Sequence, residues 1–292
     1  MIELDFEEEK PSFKTGMFDI LDEQYFKLPY VSASTLKRLL NDEAYEVANN
    51  IPTEKTEAMI LGSLIHCMIL EPSEVDKRYA VMPKVDLRTS SGKQTKMIFE
   101  QENQGKEVIT DKMYEIAKEC YKSVCETGVK QLFEDGVAEK AIQFETNGIE
   151  AKGKLDYYKE NKGIILDVKT TQNAGESFAT ECSNRDYFLQ GSFYFDGLKK
   201  IGKNVNDIIF VGVQTKSPYK VTLVRQEQQE IEFGRECYMV ALEIYKDILA
   251  HPEKYKSKLT VNPQTGENIF SMQTPSYKIF ALDRLKKQLN YI

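Results

Sequence analysis

The sequence predicts a single domain of mixed α/β class (α+β), in which a mixed central sheet of about five strands is flanked by helices. Helical patterns with one apolar face stand before and after a run of strand patterns. Two turn signals in close succession predict an antiparallel meander of three strands, and two more strand patterns precede a last long helix. No internal repeat and no linker divides the 292 residues. We therefore expect one domain with a core over about 25–250, an irregular lead over 1–24 and a C-terminal extension over 251–292.

The first half of the core carries helical patterns. Ser32 or Ser34 can cap a helix that begins near Val31, because a serine hydroxyl accepts a hydrogen bond from the first helical turn. A second, more apolar helix ends before Pro72, because the residue that precedes a proline disfavours helical dihedral angles. The pattern over 75–92 indicates a loop with a short strand-like piece. The helices predicted in this half span 31–40, 54–71, about 93–104 and 111–127.

The second half begins with the strand patterns. Two turn signals, Asn147-Gly148 and Asn161-Lys162-Gly163, separate three short runs, as is typical of consecutive hairpins. The strands of this meander are predicted over 137–145, 149–159 and 163–170. Helices over 174–183 and 185–201, strands over 208–214 and 220–225, and a helix over about 227–250 follow. In the extension, the pattern indicates a hairpin at Pro263–Glu267.

The composition excludes several classes of protein. The formal net charge is −7, from 39 basic and 46 acidic residues, which argues against general coating of nucleic acid. No apolar run approaches the ~18 residues of a membrane span, and the acidic start lacks the basic and then apolar pattern of a signal peptide. We therefore expect a cytoplasmic protein without membrane association.

The scarcity of cysteine and histidine restricts the metal chemistry. The five cysteines form no C-x-x-C pair, so a zinc finger, an iron–sulfur site with four cysteines and a disulfide framework are all disfavoured. His66 and His251 are the two histidines, too few for a zinc site built from several imidazoles. Any metal site must draw most of its ligands from carboxylates, which suit Mg²⁺ or Mn²⁺.

The strongest chemical signal lies in the meander. An apolar run leads to Asp167 and Lys169, and alternation along a strand points both side chains to the same face. Pairing through the tight turn would bring Asp156 beside Asp167, and two neighbouring carboxylates repel each other unless a cation lies between them. Taken alone, an Asp-x-Lys pair is more typical of a surface ion pair. The apolar run before Asp167 favours a site, because it indicates a buried strand whose end is where sites collect.

Two helical pairs accompany this signal. Gly62 and His66 lie one turn apart on a helix face, and a glycine inside a helix indicates close packing or room for a ligand. The alternative is a histidine whose hydrogen bonds are satisfied within the core, beside a glycine that permits close packing. Gln190 and Tyr194 have the same spacing and could order a water molecule or contact a phosphate, or form a simple pair on a helix surface.

Together these residues resemble the PD-(D/E)XK nuclease superfamily and, within it, the RecB-like branch. In that branch a G-x-x-x-H helix, an aspartate strand, a D-x-K strand and a Q-x-x-x-Y helix follow in the order seen at Gly62–His66, Asp156, Asp167–Lys169 and Gln190–Tyr194. The most similar group is the RecE-type exonucleases of phages and prophages, the exonuclease VIII group. The segments Leu28–Ser34, Gly62–Pro72 and Arg88–Lys93 also resemble that group.

The resemblance spans roughly residues 25–250 and has two departures. Leu155 stands at the position of the proline that gives the superfamily its name. The cysteines that hold a cluster in some relatives have no counterpart in this chain.

The resemblance implies a restriction-endonuclease-like core and a set of metal ligands. Asp156 and Asp167 would bind Mg²⁺ or Mn²⁺, with His66 as a third side-chain ligand and the Val168 carbonyl as a backbone ligand. Glu139 could reach the site from the preceding strand through a second metal. A solvated carboxylate at the sheet edge is the other interpretation of Glu139.

The resemblance also implies roles for the remaining site residues. Lys169 would position or help to activate the attacking water and stabilise charge on the phosphate. Gln190 and Tyr194 would order the water or the scissile strand.

The activity implied by the resemblance is 5′→3′ exonuclease action on linear double-stranded DNA, which leaves single-stranded tails for an annealing protein of the RecT type. A toroidal homo-oligomer, a trimer or tetramer, would enclose the duplex. Arg88, Lys93 and Lys96 lie in a basic stretch and are the candidate DNA-binding loop, with a solvated charged loop as the other interpretation. Two further hypotheses stay open: another RecB-like nuclease, such as an endonuclease or a repair nuclease, and a catalytically silent DNA-binding module on the same fold.

Overall fold

Seven strands form a mixed sheet at the centre of the computed structural model, which describes residues 13–86 and 88–257. Two shorter strands form a separate parallel pair. The strands are β1 (Gly16–Phe18), β2 (Val31–Ser32), β3 (Tyr79–Met82), β4 (Glu107–Thr110), β5 (Val137–Thr146), β6 (Ile149–Lys159), β7 (Ile164–Thr171), β8 (Asp207–Gln214) and β9 (Val221–Arg225). The main sheet has the order β1-β5-β6-β7-β8-β9, with β2 added to β6, and β3 pairs with β4.

Helices cover both faces of the main sheet. They are α1 (Asp22–Lys27), α2 (Ala33–Leu40), α3 (Ala44–Ala48), α4 (Glu57–Leu70), α5 (Val75–Arg78), α6 (Ser90–Glu102), α7 (Asp111–Glu126), α8 (Glu176–Asn184), α9 (Tyr187–Lys200) and α10 (Gln228–Ala250). Ser32 caps α2, because its hydroxyl accepts a hydrogen bond from the Thr35 backbone N–H. The predicted fold class, a mixed central sheet flanked by helices, is confirmed, and the sheet has seven strands where about five were predicted.

The predicted meander is present as β5, β6 and β7. Asn147 and Gly148 both adopt positive φ angles, 52° and 73°, as a two-residue hairpin of the type I′ kind requires. Gly163, at φ 65°, ends the second turn. β8 then pairs in parallel with β7, and β9 returns antiparallel to β8. The sheet is therefore mixed, as expected.

The lead is not wholly irregular, and this part of the prediction needs correction. β1 pairs antiparallel with β5, and α1 follows it with Tyr25 buried. The strand pair of β3 and β4 was also not predicted as a pair. Both features depend on contacts with residues far away in the sequence, so local patterns do not reveal them. The hairpin predicted at Pro263–Glu267 lies outside the described residues.

β7 is buried on both faces of the sheet. Ile165 belongs to a core shared with α2, α9 and α10, whereas Leu166 and Val168 belong to a second core shared with α4 and α7. The sequence of a strand that is buried on both faces is typically a nearly continuous apolar run. The polar residues at the end of β7 are consequently placed in the interior, between the two helical layers.

Neither a disulfide nor a membrane span is found in the part of the chain that is described. The five cysteines, all within that part, are free thiols. Among residues 13–86 and 88–257, no helix combines the length and apolarity that crossing a bilayer demands.

Gly153 of β6 lets α9 lie close to the sheet. A Cβ atom at this position would stand 2.7 Å from a ring carbon of Tyr194. We expect Gly153→Ala to lower the free energy of unfolding by about 1–3 kcal/mol, because overpacking forces the helix away from the sheet. Urea denaturation measures this change.

A double variant checks the cause of that loss. If the tyrosine ring is the obstacle, Gly153→Ala with Tyr194→Leu will be less destabilised than the sum of the two single variants. Additive losses would contradict the packing account.

Candidate active site

Three carboxylates lie at one level of the sheet, on β5, β6 and β7. Ala138 pairs with Tyr157 and Lys140 with Leu155, which sets Glu139 opposite Asp156. The last pair between β6 and β7 joins Tyr157 to Leu166, so Asp156 and Asp167 are the next residues on either side. There the strands separate, and the backbone N–H of Val168 donates to Asp156 Oδ2 at 2.7 Å. At this point the Asp156 side chain accepts the hydrogen bond that a backbone carbonyl of β6 would accept in a regular ladder.

The backbone of Glu139 is distorted within its strand. Its φ angle is 54°, in the left-handed region that a non-glycine residue rarely adopts. Such a conformation costs of the order of 1–3 kcal/mol and is typical of functional sites. One ligand atom of Glu139 lies within 4.8 Å of one ligand atom each of His66 and Asp156.

His66 reaches this cluster from α4, and Gly62 permits the approach. A Cβ atom on Gly62 would stand 3.3 Å from the Thr170 hydroxyl, so the helix lies close against β7 at that turn. His66 Nδ1 lies 3.4 Å from Asp156 Oδ2. Burial lowers the pKa of His66, and the ammonium of Lys169 lowers it further. A neutral imidazole keeps a lone pair for a metal ion.

Asp167 is held from the other side of the sheet, by α9. Its side chain is buried, and Oδ2 accepts a hydrogen bond of 2.8 Å from Gln190 Nε2. Oδ1 lies 2.5 Å from Lys169 Nζ, yet makes no hydrogen bond of good geometry with any described residue. Lys37 donates to Gln190 Oε1 at 3.3 Å, and the Lys37 and Lys169 ammonium groups both lie over the Tyr187 ring.

The electrostatics of the site follow from burial and crowding. Burial and the neighbouring Asp167 raise the pKa of Asp156 to about 7. Burial and Asp156 likewise raise the pKa of Glu139. Burial alone would lower the pKa of Lys169, but the carboxylates of Asp167 and Asp156 outweigh it and raise this pKa to about 12. Lys169 therefore stays charged at neutral pH.

This donor set fits a hard divalent cation. Glu139 and Asp156 offer carboxylate oxygens, His66 offers an imidazole nitrogen, and the Asp167 Oδ1 atom is buried without a well-formed hydrogen bond. Oxygen ligands with one imidazole suit Mg²⁺ or Mn²⁺ better than a thiolate-seeking metal. A cation would also offset the burial and the mutual repulsion that raise the pKa values of Asp156 and Glu139.

Most of the residues predicted for the site converge here. His66, Glu139, Asp156, Asp167, Val168, Lys169 and Gln190 all lie in the arrangement just described. Tyr194 is buried against Gly153. Its role in ordering water or a DNA strand stays a prediction.

The basic stretch lies on and before the first turns of α6. Arg88 is held by Asp86 at 2.9 Å through its Nε atom, and Lys96 lies 3.3 Å from Glu100. Lys93 is exposed on the first turn of α6. The contact of these three residues with DNA stays a prediction.

Three residues near the site were not predicted from the sequence. Lys37, Tyr187 and Lys154 contact Gln190, Lys169 and Glu139, respectively. Lys154 stands two residues before Asp156, so strand alternation could have suggested it. Lys37 and Tyr187 approach the site through the docking of α2 and α9, which has no local signal.

Comparison with known proteins agrees with this fold. The model of a family described as a PDDEXK-like domain of unknown function matches residues 32–258. A protein from Eubacterium rectale that is provisionally named an exonuclease has a similar crystal structure, with a TM-score of 0.57 at 13% identity, covering 90% of this chain and 99% of that chain. A phage-related exonuclease from Haemophilus somnus 129PT gives a TM-score of 0.31 at 15% identity, covering 70% of this chain and 98% of its own. No curated protein matches the chain.

The raised pKa of Asp156 predicts a dependence of stability on pH. The pKa is 3.8 in a model peptide and about 7 in the fold, so the protonated form favours folding. This contribution is complete below pH ~4 and is lost as the pH rises through ~7. In chelator, we expect Asp156→Asn to raise the free energy of unfolding by about 2 kcal/mol at pH 8 and by much less at pH 5.

Urea denaturation at the two pH values measures this difference. Asp207→Asn, a change of the same type at the start of β8, serves as the control. An equal effect of Asp156→Asn at both pH values would contradict the account.

The cluster also predicts binding of a divalent cation. Calorimetric titration of the chain with Mn²⁺ should give a binding isotherm, and we expect His66→Ala and Glu139→Gln each to weaken the affinity by about tenfold or more. His251→Ala is the matched control, because that histidine is exposed after the end of α10. Absence of Mn²⁺ binding, or equal loss in the control, would refute the assignment.

Proposed function

The chain belongs to the family of PDDEXK-like domains, and from this premise we propose that it is a metal-dependent deoxyribonuclease. The observation that carries the proposal is the row of Glu139, Asp156 and Asp167 across three strands, with His66 beside Asp156 and Lys169 beside Asp167. A row of buried acids with one charged lysine suits the hydrolysis of an anionic ester with the help of a cation.

The proposed reaction is hydrolysis of a phosphodiester. A water oxygen forms a bond to phosphorus, one P–O ester bond breaks, and the leaving oxygen takes a proton. A bound Mg²⁺ or Mn²⁺ would lower the pKa of a water molecule and neutralise charge that develops on the phosphate. Asp156, Glu139, His66 and Asp167 would hold that cation.

The charged state of Lys169 defines what it can do. An ammonium with a pKa of about 12 is a poor general base at neutral pH, so its role is to stabilise negative charge on the phosphate oxygens. Its position is fixed by Asp167 and by the Tyr187 ring. Gln190 fixes Asp167 in turn, and thereby keeps the carboxylate aimed along the row.

We extend the proposal to a 5′→3′ exonuclease on linear double-stranded DNA. The resemblance of four ordered motifs to the RecE-type group supports this, and the provisional name of the Eubacterium rectale protein is consistent with it. In this proposal a homo-oligomeric ring encloses the duplex, Arg88, Lys93 and Lys96 contact its backbone, and an annealing protein of the RecT type receives the single strand. Retention of His66 together with the acids and the lysine argues against a catalytically silent module.

Digestion of an end-labelled linear duplex with Mg²⁺ tests the activity. We expect the wild-type chain to degrade it, chelator to abolish the reaction, and Asp167→Asn and Lys169→Met to slow it by about 100-fold or more. Asp207→Asn should retain full activity. Undiminished cleavage by Asp167→Asn would refute the proposed site.

The same assay distinguishes the kinds of nuclease. An exonuclease leaves covalently closed circles intact, and early release of the 5′ label rather than the 3′ label establishes the polarity. Cleavage of closed circles at a comparable rate would favour an endonuclease instead.

A further inference from the structure

Two lysines lie on one side of the row of carboxylates, in consecutive pairs of the β5–β6 ladder. Lys140 follows Glu139 directly on β5, and Lys154 stands two residues before Asp156 on β6. Their side chains are 20% and 17% exposed, so both lysines are largely buried. Both ammonium groups contact one short segment, residues 19–22, so a backbone lying in the place of that segment would meet both cations.

Both ammonium groups are occupied by acids from the N-terminal part of the chain. Lys140 pairs with Asp19 and Lys154 with Asp22, and Lys154 also lies 2.7 Å from Glu139. The side chains of Asp19 and Asp22 are 82% and 53% exposed, so each carboxylate can turn into water. Because the acid of each pair is exposed to solvent, salt screens these pairs more than it screens a fully buried pair.

The segment that carries these acids forms one wall of a cavity of about 610 Å³. The lining comprises residues 19–24, Glu71, Arg78, Gly105, Ala138, Glu139 and Lys154. The volume lies within the usual range for a bound ligand, about 300–1,000 Å³. Five carboxylates face two basic groups in this lining, so the cavity as it stands repels a phosphate.

The segment is fastened on both sides of the acids. β1 pairs with β5 before Asp19, and after Asp22 the Lys152 ammonium donates to the carbonyls of Tyr25 and Leu28. Movement that uncovers Lys140 and Lys154 can thus be confined to the few residues between these anchors.

We propose that Lys140 and Lys154 bind two backbone phosphates of the nucleic acid, and that Asp19 and Asp22 occupy these positions until the substrate displaces them. The inference rests on the proposed function, because it assigns the path of the nucleic acid beside Glu139. Carboxylate and phosphate are both oxyanions that bind an ammonium group, and a polyanion can replace two carboxylates together. A single free phosphate cannot do so.

Binding of a labelled linear duplex in chelator, followed by fluorescence anisotropy, tests the proposal without cleavage. We expect the Asp19→Asn/Asp22→Asn variant to bind about fivefold more tightly than wild type at low salt, because the two ammonium groups are then free for phosphates. The control is Glu160→Gln/Glu243→Gln, which removes two surface acids that pair with Lys203 and Lys246. It should change the affinity by less than about twofold.

A second pair of variants tests the lysines directly. We expect Lys140→Gln/Lys154→Gln to reduce the slope of log affinity against log salt by about 2, close to 0.9 for each lost phosphate contact. Lys203→Gln/Lys246→Gln should leave the slope unchanged. Circular dichroism of each variant establishes whether it is folded. If the lysine variant does not fold, the affinity of the aspartate variant alone tests the proposal.

Two results would overturn the proposal: equal affinities of the aspartate variant and its charge-matched control, or an unchanged slope in a folded lysine variant. Cleavage of the same duplex in Mg²⁺ by wild type, and its loss in Asp167→Asn, report separately on the proposed function. An active wild type with equal affinities would overturn the phosphate sites alone.

Discussion

Mutual repulsion among three carboxylates that share one level of a buried sheet is the constraint on which the site depends. Carboxylates removed from water are costly unless charges or hydrogen bonds compensate them. The fold supplies Lys169 for Asp167, Lys154 for Glu139 and a backbone N–H for Asp156. The raised pKa values of Asp156 and Glu139 mean that this compensation is incomplete. A bound cation would supply the compensation that is missing, which is why we interpret the arrangement as a metal site.

The sheet makes this crowding possible because its central strand is enclosed by two helical layers. One layer, through α4, brings His66 to the row. The other, through α9, brings Gln190 to Asp167. Gly62 and Gly153 let these helices lie close enough to do so. The geometry of the site therefore depends on the packing of both hydrophobic cores.

The parts of the site that the sequence predicts are those encoded locally. Asp167 and Lys169 share a face because strands alternate, and Asp156 is brought beside them by a short hairpin. The sequence left the role of Glu139 open, because nothing in the residue pattern indicates the left-handed backbone conformation of this residue. The sequence pattern also did not predict the contact of Lys37 with the site, the strand β1 or the pairing of β3 with β4. Each of these depends on contacts between segments that are distant in sequence.

The central claim is that the carboxylates and the imidazole converge on one hard cation. Anomalous diffraction from a crystal soaked in Mn²⁺ measures this directly. The account predicts an anomalous peak within about 2.5 Å of oxygens from Asp156 and at least one other acid of the row, close to the His66 ring. A well-ordered crystal with Mn²⁺ bound elsewhere, and no peak among these side chains, would contradict it.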